Sequence, residues 1–207
     1  MPEASSDEAL ERLVRRAQGG DQGALEDLLN RHADLVFAMC LRMCGHAEDA
    51  RDLSQDVLVK AIEALSSFDG RAKFSTWLTR IAMNHCLTHR RRQRLRRHAS
   101  LDSPGTSSEG ETTLGMGLEQ STELSGPSRV EHDQMQQVLR QAMQDLDPES
   151  RALLILRDVR DLDYGQIAEV LDIPLGTVKS RLFRARATLR ERIESRSPDA
   201  APASEME

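Results

Sequence analysis

The chain has 207 residues, of which 39% are hydrophobic and 3% aromatic, and its formal net charge is −6. This composition suffices for one or two small cores and contains no apolar run long enough to cross a bilayer. The polar, acidic N-terminus is unlike a signal peptide, and three cysteines suit a reducing compartment. We therefore expect a cytoplasmic protein.

The distribution of charge is more informative than its sum. Residues 71–98 hold nine Lys or Arg and no acid, residues 99–128 hold five acids and no base, and residues 173–192 hold six bases and one acid. Two basic blocks separated by an acidic strip indicate two contacts with nucleic acid. The acidic balance elsewhere is compatible with a protein partner.

The N-terminal part of the chain predicts a series of helices. The segment from Ser5 to Glu8 resembles a capping box and predicts a first helix, which Gly19 and Gly20 end. Asp21 can cap a second helix, which Gly45 breaks. Apolar residues recur along this second helix at helical spacing: Leu25, Leu28, Leu29, Leu35, Val36, Met39 and Cys40.

A third helix, predicted from about Ala47 to Leu65, has two chemically different faces. Its inner stripe consists of Ala50, Leu53, Val57 and Ala61. Asp49, Asp52 and Asp56 share the outer face, where like charges at helical spacing repel mildly. A cationic partner surface would turn that repulsion into attraction, whereas the alternative is a merely solvated face.

Phe68-Asp69-Gly70 predicts a turn, after which a fourth helix begins near Ser75. This helix carries Trp77, Leu78, Ile81 and Ala82, followed by a basic tail of Arg90, Arg91, Arg92, Arg94, Arg96 and Arg97. We favour contacts between the arginine run and nucleic-acid phosphates, with a solvated helix end as the alternative.

Residues 99–128 are rich in Ser, Gly, Thr and Glu and lack aromatic residues, so they are predicted to form a disordered linker. Helical spacing then resumes in Val130, Met135, Val138, Leu139, Ala142, Met143 and Leu146. Asp147-Pro148-Glu149 combines a cap, a proline and an acid, and predicts a further helix to about Val159. No strand pattern appears, and residues 195–207 are predicted to be a frayed tail.

Residues 163–186 predict a helix-turn-helix. Asp163 can cap a short helix, Pro174 stops that helix, and Gly176 permits a tight turn. The short helix has an apolar face of Ile167, Ala168 and Leu171, and the second helix, starting near Thr177, has a core stripe of Val178, Leu182, Ala185, Leu189 and Ile193. The outward sector holds Thr177, Ser180, Phe183, Arg184 and Ala187, with Lys179, Arg181 and Arg186 on its flanks.

Small outward residues beside long cations suit the major groove of DNA, because the backbone can approach closely while the cations reach phosphates and guanine edges. The alternative is an amphipathic surface helix with a solvated charged face. A capped short helix and a Pro/Gly turn before the basic helix favour DNA binding.

Two motifs in the chain, one in each half, resemble regions 2 and 4 of bacterial sigma factors. Sigma factors of the extracytoplasmic-function (ECF) type have only these two regions. The first runs from Glu48 to Val57 and continues with Phe68 and 74–84; the second comprises 146–151 and 167–181. The resemblance implies an all-α protein of two small helical domains joined by a flexible acidic linker. Residues 1–23 would be an N-terminal helix of the first domain, 24–98 region 2, 99–128 the linker, 129–194 region 4 and 195–207 the tail.

The resemblance also implies a function without catalytic residues or a cofactor: binding the β′ and β subunits of core RNA polymerase, recognising promoter DNA and helping to open it. Polymerase contacts would come from Asp49, Asp52, Gln55 and Asp56. The downstream, −10 element would be bound by Lys60, Phe68, Phe74, Trp77, Arg80 and Asn84. The upstream, −35 element would be bound by Thr177, Lys179, Ser180, Arg181, Phe183, Arg184 and Arg186.

Several alternatives remain open. Phe74 and Trp77 also fit a plain hydrophobic core. A second class of protein, a helix-turn-helix regulator, would bind DNA without polymerase.

A metal or thiol site is a third possibility. It is suggested by two groups of residues: Cys40, Cys44 and His46, and His85, Cys86 and His89. Buried cysteine is the commoner explanation, and no CxxC pair exists. Many members of the family are held by an anti-sigma factor, which this sequence neither shows nor excludes.

Overall fold

The computed structural model describes residues 3–100 and 127–196. Every regular element in these two ranges is helical, which confirms the all-α prediction. The chain divides into two compact units, and each is described by itself. Most of the predicted linker (101–126) and of the predicted tail (197–207) lies outside the described residues.

The first unit contains α1 (Glu3–Gln18), α2 (Gln22–Cys44), α3 (Ala47–Ala64) and α4 (Phe74–Ser100). α2 is its central helix and contacts the other three. Its fully buried residues include Leu28, Val36 and Met43, whose spacing gives α2 a continuous apolar face. A short 3₁₀ turn, Leu65–Ser67, follows α3.

Local signals define both ends of α2. The Asp21 carboxylate accepts a hydrogen bond from the backbone amide of Ala24 at 3.0 Å. This bond and the Arg16 guanidinium lower the pKa of Asp21. Gly45 ends the helix in the left-handed region, with φ of 84°, and its amide donates to Leu41. The capping box predicted at Ser5 is wrong, because α1 already begins at Glu3 and includes Ser5.

The inner stripe predicted for α3 is confirmed. Its residues are almost completely buried: Ala50, Leu53, Val57 and Ala61. α3 packs against both α2 and α4 through this stripe's side of the helix, as expected for apolar residues repeating every three to four positions. The opposite side of α3 is therefore left for solvent or a partner.

The second unit contains α5 (Pro127–Asp145), α6 (Pro148–Leu154), α8 (Leu175–Glu194) and most of α7 (Tyr164–Leu171). Both α5 and α6 pack against α8. The predicted cap at Asp147 is confirmed, since its carboxylate accepts from the amides of Glu149 and Ser150 at 3.1 and 2.9 Å.

The connection between α5 and α6 depends on a buried arginine. Arg151 is 1% exposed, and its guanidinium donates to the carbonyls of Met143 at 2.8 Å and Leu146 at 3.1 Å. The Met143 carbonyl, in the last turn of α5, also accepts from the amide of Leu146 at 3.3 Å. Carbonyls at the end of a helix need such partners from outside it, because the helix supplies none. Arg151 thus fixes the end of α5 to the start of α6.

The sequence predicts one regular helix to about Val159, but α6 ends at Leu154. It widens into a π-helical turn, Ile155–Val159, where the amide of Arg160 donates to the carbonyl of Ile155 at 3.0 Å. Asp161 then adopts the left-handed conformation with φ of 51° and ends the segment. Such π turns change the direction of the side chains that follow and are frequent at functional sites.

Within the described ranges, none of the helices combines the length and the apolar character that a membrane span requires.

Candidate nucleic-acid and polymerase interfaces

The short helix α7 begins with a reciprocal capping box. The Asp163 carboxylate accepts from the amide of Gln166 at 2.8 Å, and the Gln166 side chain accepts from the amide of Asp163 at 2.9 Å. The sequence prediction named Asp163 as a cap but missed Gln166. The Asp-x-x-Gln spacing was the signal that could have revealed it.

The turn between α7 and α8 is built differently from the prediction. Asp172, with φ of 54°, occupies the left-handed position, which Asp tolerates better than most residues. Pro174 precedes α8, and its carbonyl accepts from the amides of Thr177 and Val178 at 2.8 and 3.2 Å. α8 begins at Leu175, two residues before the start predicted near Thr177. The helix includes Gly176, so the turn role predicted for Gly176 is wrong.

α8 presents the predicted outward face. Val178, Leu182 and Ala185 are buried, while Leu189 and Ile193 are half-buried. On the opposite side, Ser180, Phe183, Arg184 and Ala187 are exposed and Thr177 is half-buried. Phe183 is 77% exposed on this side of the helix.

The cations of α8 differ in their surroundings. Arg181 forms an ion pair with Glu149 of α6 at 3.2 Å, and Arg186 forms one with Asp158 of the π turn. The bond to Asp158 raises the pKa of Arg186. Within residues 127–196, Lys179 and Arg184 form no ion pair; the Arg184 guanidinium lies 3.4 Å from the carbonyl of Ser180.

An aromatic cluster forms where the turn after α3 meets the start of α4. Phe74 packs against Phe68, Trp77 and His32, with ring centroids 5.5, 5.3 and 5.0 Å away. Phe74 is 4% exposed, as the core alternative for this residue predicts. Phe68 and Trp77 are half-buried and keep part of each ring at the surface.

The backbone beneath Phe68 is held by a residue that the sequence analysis did not name. The side-chain amide of Gln18 donates to the carbonyls of Leu65 and Phe68 at 3.0 and 2.8 Å. α1 therefore fixes the position of the turn that carries Phe68. A contact between residues fifty positions apart leaves no local pattern in the sequence.

An open cavity of about 400 Å³ lies between α3 and α4. Its lining consists of Lys60, Ile81, Asn84, His85, Thr88 and Arg92. The structure thus brings Lys60 and Asn84 together, although they come from different helices. Arg80 is exposed on α4 but does not line this cavity.

The acidic face of α3 is largely open. Asp52, Gln55 and Asp56 are exposed, whereas Asp49 is half-buried and lines a smaller cavity with His89, Arg92, Gln93 and Arg96. Asp56 lies 3.2 Å from Nε2 of His85 on α4. The sequence predicts this acidic face but not its contact with His85.

The three cysteines are buried in the first unit. The Cys86 thiol lies 3.7 Å from the Cys40 sulfur, and this bond together with burial raises the pKa of Cys40. The Cys44 thiol donates to the carbonyl of His46, and burial raises its pKa. In the part of the chain that the structure describes, no group of three His, Cys, Asp or Glu side chains could hold a metal ion.

Comparison with known proteins identifies the two units. The Sigma-70 region 2 family matches residues 28–96, and the Sigma-70, region 4 family matches residues 136–189. The ECF RNA polymerase sigma-E factor of Escherichia coli strain K12 is 33% identical, over 88% of this chain and 93% of its own length. The chain belongs to the ECF sigma factors. The RNA polymerase sigma-H factor of Pseudomonas aeruginosa is also 33% identical to this sigma factor, over 86% of this chain and 91% of its own length.

Solved structures agree in fold. The sigma factor RpoE from Bartonella quintana, solved in complex with the anti-sigma factor NepR, superimposes with a TM-score of 0.62. The match covers 83% of this chain and 97% of that one, at 24% identity. This likeness shows that the two proteins share an all-helical fold.

Proposed function

We propose that this sigma factor binds core RNA polymerase, directs it to specific promoters and helps to melt the −10 element. The observation that carries the proposal is the presence of both sigma regions in one chain, at residues 28–96 and 136–189. A sigma factor initiates transcription while the polymerase performs the chemistry, so no catalytic residue is assigned. Its place of action would be the cytoplasm, where the polymerase transcribes.

Region 4 would recognise the −35 element through α8. Arg184 is exposed on the outward face, where a guanidinium can bind a guanine edge in the major groove. Phe183 offers an apolar contact for a thymine methyl group. Lys179 lies on the flank and can neutralise a phosphate, which supports affinity rather than sequence preference.

Region 2 would bind the melted −10 element. Lys60 and Asn84 line the cavity between α3 and α4, where a cation and an amide could hold a strand and a base edge. The exposed parts of Phe68 and Trp77 could stack on unpaired bases, since stacking accepts any base. Phe74 would support these two rings from the core, and the exposed Arg80 would contact phosphates.

The acidic face of α3 would bind the polymerase. Asp52, Gln55 and Asp56 project from one side of the helix while its other side packs on α2 and α4. Acidic side chains attract a cationic surface and speed association with it. Asp49 is more enclosed, so we assign it the smaller part of this interface.

An anti-sigma factor is a further proposed partner. The relative from Bartonella quintana was solved with one. In this chain, Met135 and Leu139 of α5 are exposed apolar residues one helical turn apart, which is a suitable contact for a protein that covers region 4. Purification of the tagged chain from its own cells, followed by identification of stoichiometric partners, tests this assignment.

The proposal is tested by measuring promoter binding with and without core polymerase. Fluorescent promoter fragments are titrated with the chain alone, with core enzyme alone and with both. A sigma factor requires both components for specific binding, whereas a helix-turn-helix regulator would bind the fragments by itself. Specific binding by the chain alone, unchanged on adding core enzyme, would refute the proposal.

A further inference from the structure

The ion pairs of α8 follow a pattern. At about 100° per residue, Arg181 and Arg186 lie on opposite flanks of the outward face. Each is bound by a carboxylate from the layer beneath: Glu149 for Arg181, at 3.2 Å, and Asp158 for Arg186. Arg196, beyond the end of the helix, is likewise paired with Asp145 of α5.

The two carboxylates near the reading face are themselves held in place. Glu149 lies in the first turn of α6, which the side chain of Asp147 caps. Asp158 lies in the π turn, next to Arg157. The guanidinium of Arg157 donates to the carbonyl of Leu162 at 2.9 Å and lies 5.6 Å from the ring centre of Tyr164. The widened turn therefore sets where Asp158 meets α8.

We propose that Glu149 and Asp158 are positioning residues for promoter recognition: they brace α8 on both flanks and keep two guanidinium groups from binding DNA phosphates. The exposed residues between the braces, Arg184 among them, then contact the −35 element. This inference rests on the proposed function of region 4. It changes the roles predicted for Arg181 and Arg186 from DNA contacts to the cationic halves of the two braces.

The two braces should affect the specificity of DNA binding more than the stability of the fold. Both pairs are partly exposed, with side-chain exposures of 39–47%, and ion pairs at such sites contribute little to folding. A guanidinium released from its carboxylate, however, can bind a phosphate whatever the sequence. Each added phosphate contact strengthens the salt dependence of DNA binding by about 0.9 in the log–log slope. Loss of a brace should therefore raise non-specific affinity and reduce discrimination.

Lys179 and Arg186 provide a matched pair of cations on the same flank of α8. Within residues 127–196, Arg186 has an acidic partner and Lys179 has none. Holoenzyme is assembled from core polymerase and the full chain, and its binding is measured at several salt concentrations. The probes are a duplex selected by the parent holoenzyme from genomic fragments and a scrambled duplex of the same composition. We expect Lys179→Gln to weaken the salt slope by about 0.9 and Arg186→Gln to leave it nearly unchanged.

Asp158→Asn should increase affinity for the scrambled duplex more than for the promoter and steepen the salt slope by about 0.9. Asp161→Asn is its control, since Asp161 loses the same charge nearby but its ion pair is with Arg157, not with α8. In the Arg186→Gln background, Asp158→Asn should have no further effect on discrimination. A thermal melt of each variant shows that it is folded.

Equal slopes for Lys179→Gln and Arg186→Gln would overturn the inference, as would an Asp158→Asn effect that matches Asp161→Asn or persists without Arg186. The matched pair of Lys179 and Arg186 variants keeps the test decisive even if Asp158→Asn fails to fold. The parent protein separates this inference from the proposed function. A parent holoenzyme without promoter preference refutes the function, whereas a specific parent with unaffected variants refutes only the braces.

Discussion

The ring of Phe68 meets the ring of Phe74 edge-on, with centroids 5.5 Å apart and planes at 89°. The two residues differ in exposure, since Phe74 is buried and Phe68 remains partly at the surface. The buried ring therefore supports the half-exposed one beside Trp77. We therefore propose that Phe74 serves folding and that Phe68 contacts DNA.

The first prediction separates these two roles. Phe74→Ala should lower the free energy of unfolding by about 3–5 kcal/mol, the usual cost of removing a buried aromatic ring. Phe68→Ala should leave binding to core polymerase intact but reduce the number of permanganate-reactive, melted bases in the promoter. Denaturant melts and permanganate footprints measure the two effects. If both variants lost core binding equally, Phe68 would be structural rather than a contact to DNA.

The second prediction concerns Arg184 on α8. Arg184→Ala should weaken recognition of the −35 element by about 1–3 kcal/mol, the scale of a bidentate contact with a base. Arg190→Ala is the control, because Arg190 is an exposed arginine six residues further along the helix. Competition between promoter variants measures affinity and preference together. Unchanged preference after loss of Arg184 would show that another face of α8 reads the DNA.

The third prediction concerns the acidic face of α3. Asp52→Arg combined with Asp56→Arg should sharply reduce binding to core polymerase, since both carboxylates are exposed and would become repulsive to a cationic partner. The fold should remain nearly intact, because the contact of Asp56 with His85 is at the surface. Native gels and thermal melts give the two readings. A double variant that melts normally and binds core enzyme as tightly as the parent would remove this helix from the interface.

The fourth prediction concerns the cap of α6. Burial raises the pKa of Asp147, but hydrogen bonds from Ser150 and Glu149 outweigh it and hold the pKa below its ordinary value. The ionised Asp147 therefore stabilises the fold above its unfolded pKa of about 3.9. This stabilisation is lost as pH falls through the pKa that Asp147 has in the folded protein. Asp147→Ala should cost about 0.5–2 kcal/mol at neutral pH.

Asp147→Asn is the control for this cap, because the amide oxygen can still accept the bonds but does not titrate in this range. Denaturant melts between neutral pH and about pH 3 compare the three proteins. The parent should lose stability relative to Asp147→Asn at the acidic end. Identical pH profiles for both proteins would contradict the role of the ionised cap.

Local patterns predicted much of the fold. The α3 stripe followed from residues repeating at helical spacing, and the caps at Asp21, Asp147 and Asp163 followed from residue types at helix starts. The turn before α8 was assigned to Gly176 because glycine is the usual left-handed residue, yet Asp172 takes that conformation. The residue types in this segment do not reveal whether Gly176 or Asp172 adopts the left-handed conformation.

The features that the sequence did not predict depend on contacts between residues far apart in the chain. The π turn has no signature in the spacing of apolar residues, so the position of Asp158 and its bond to Arg186 were not predicted. Arg181 and Arg186 consequently looked like Lys179 in the sequence. Similarly, the burial of Phe74 depends on His32 of α2, and the position of Phe68 depends on Gln18 of α1.

The central claim is that this chain makes core polymerase initiate at particular promoters, and run-off transcription tests it most directly. Purified core enzyme is incubated with a library of genomic fragments, with and without the chain, and transcript starts are sequenced. We predict that the chain produces transcripts from a discrete set of fragments that share two promoter elements, and that the Asp52→Arg, Asp56→Arg variant does not. An identical transcript pattern with and without the parent chain would contradict the account.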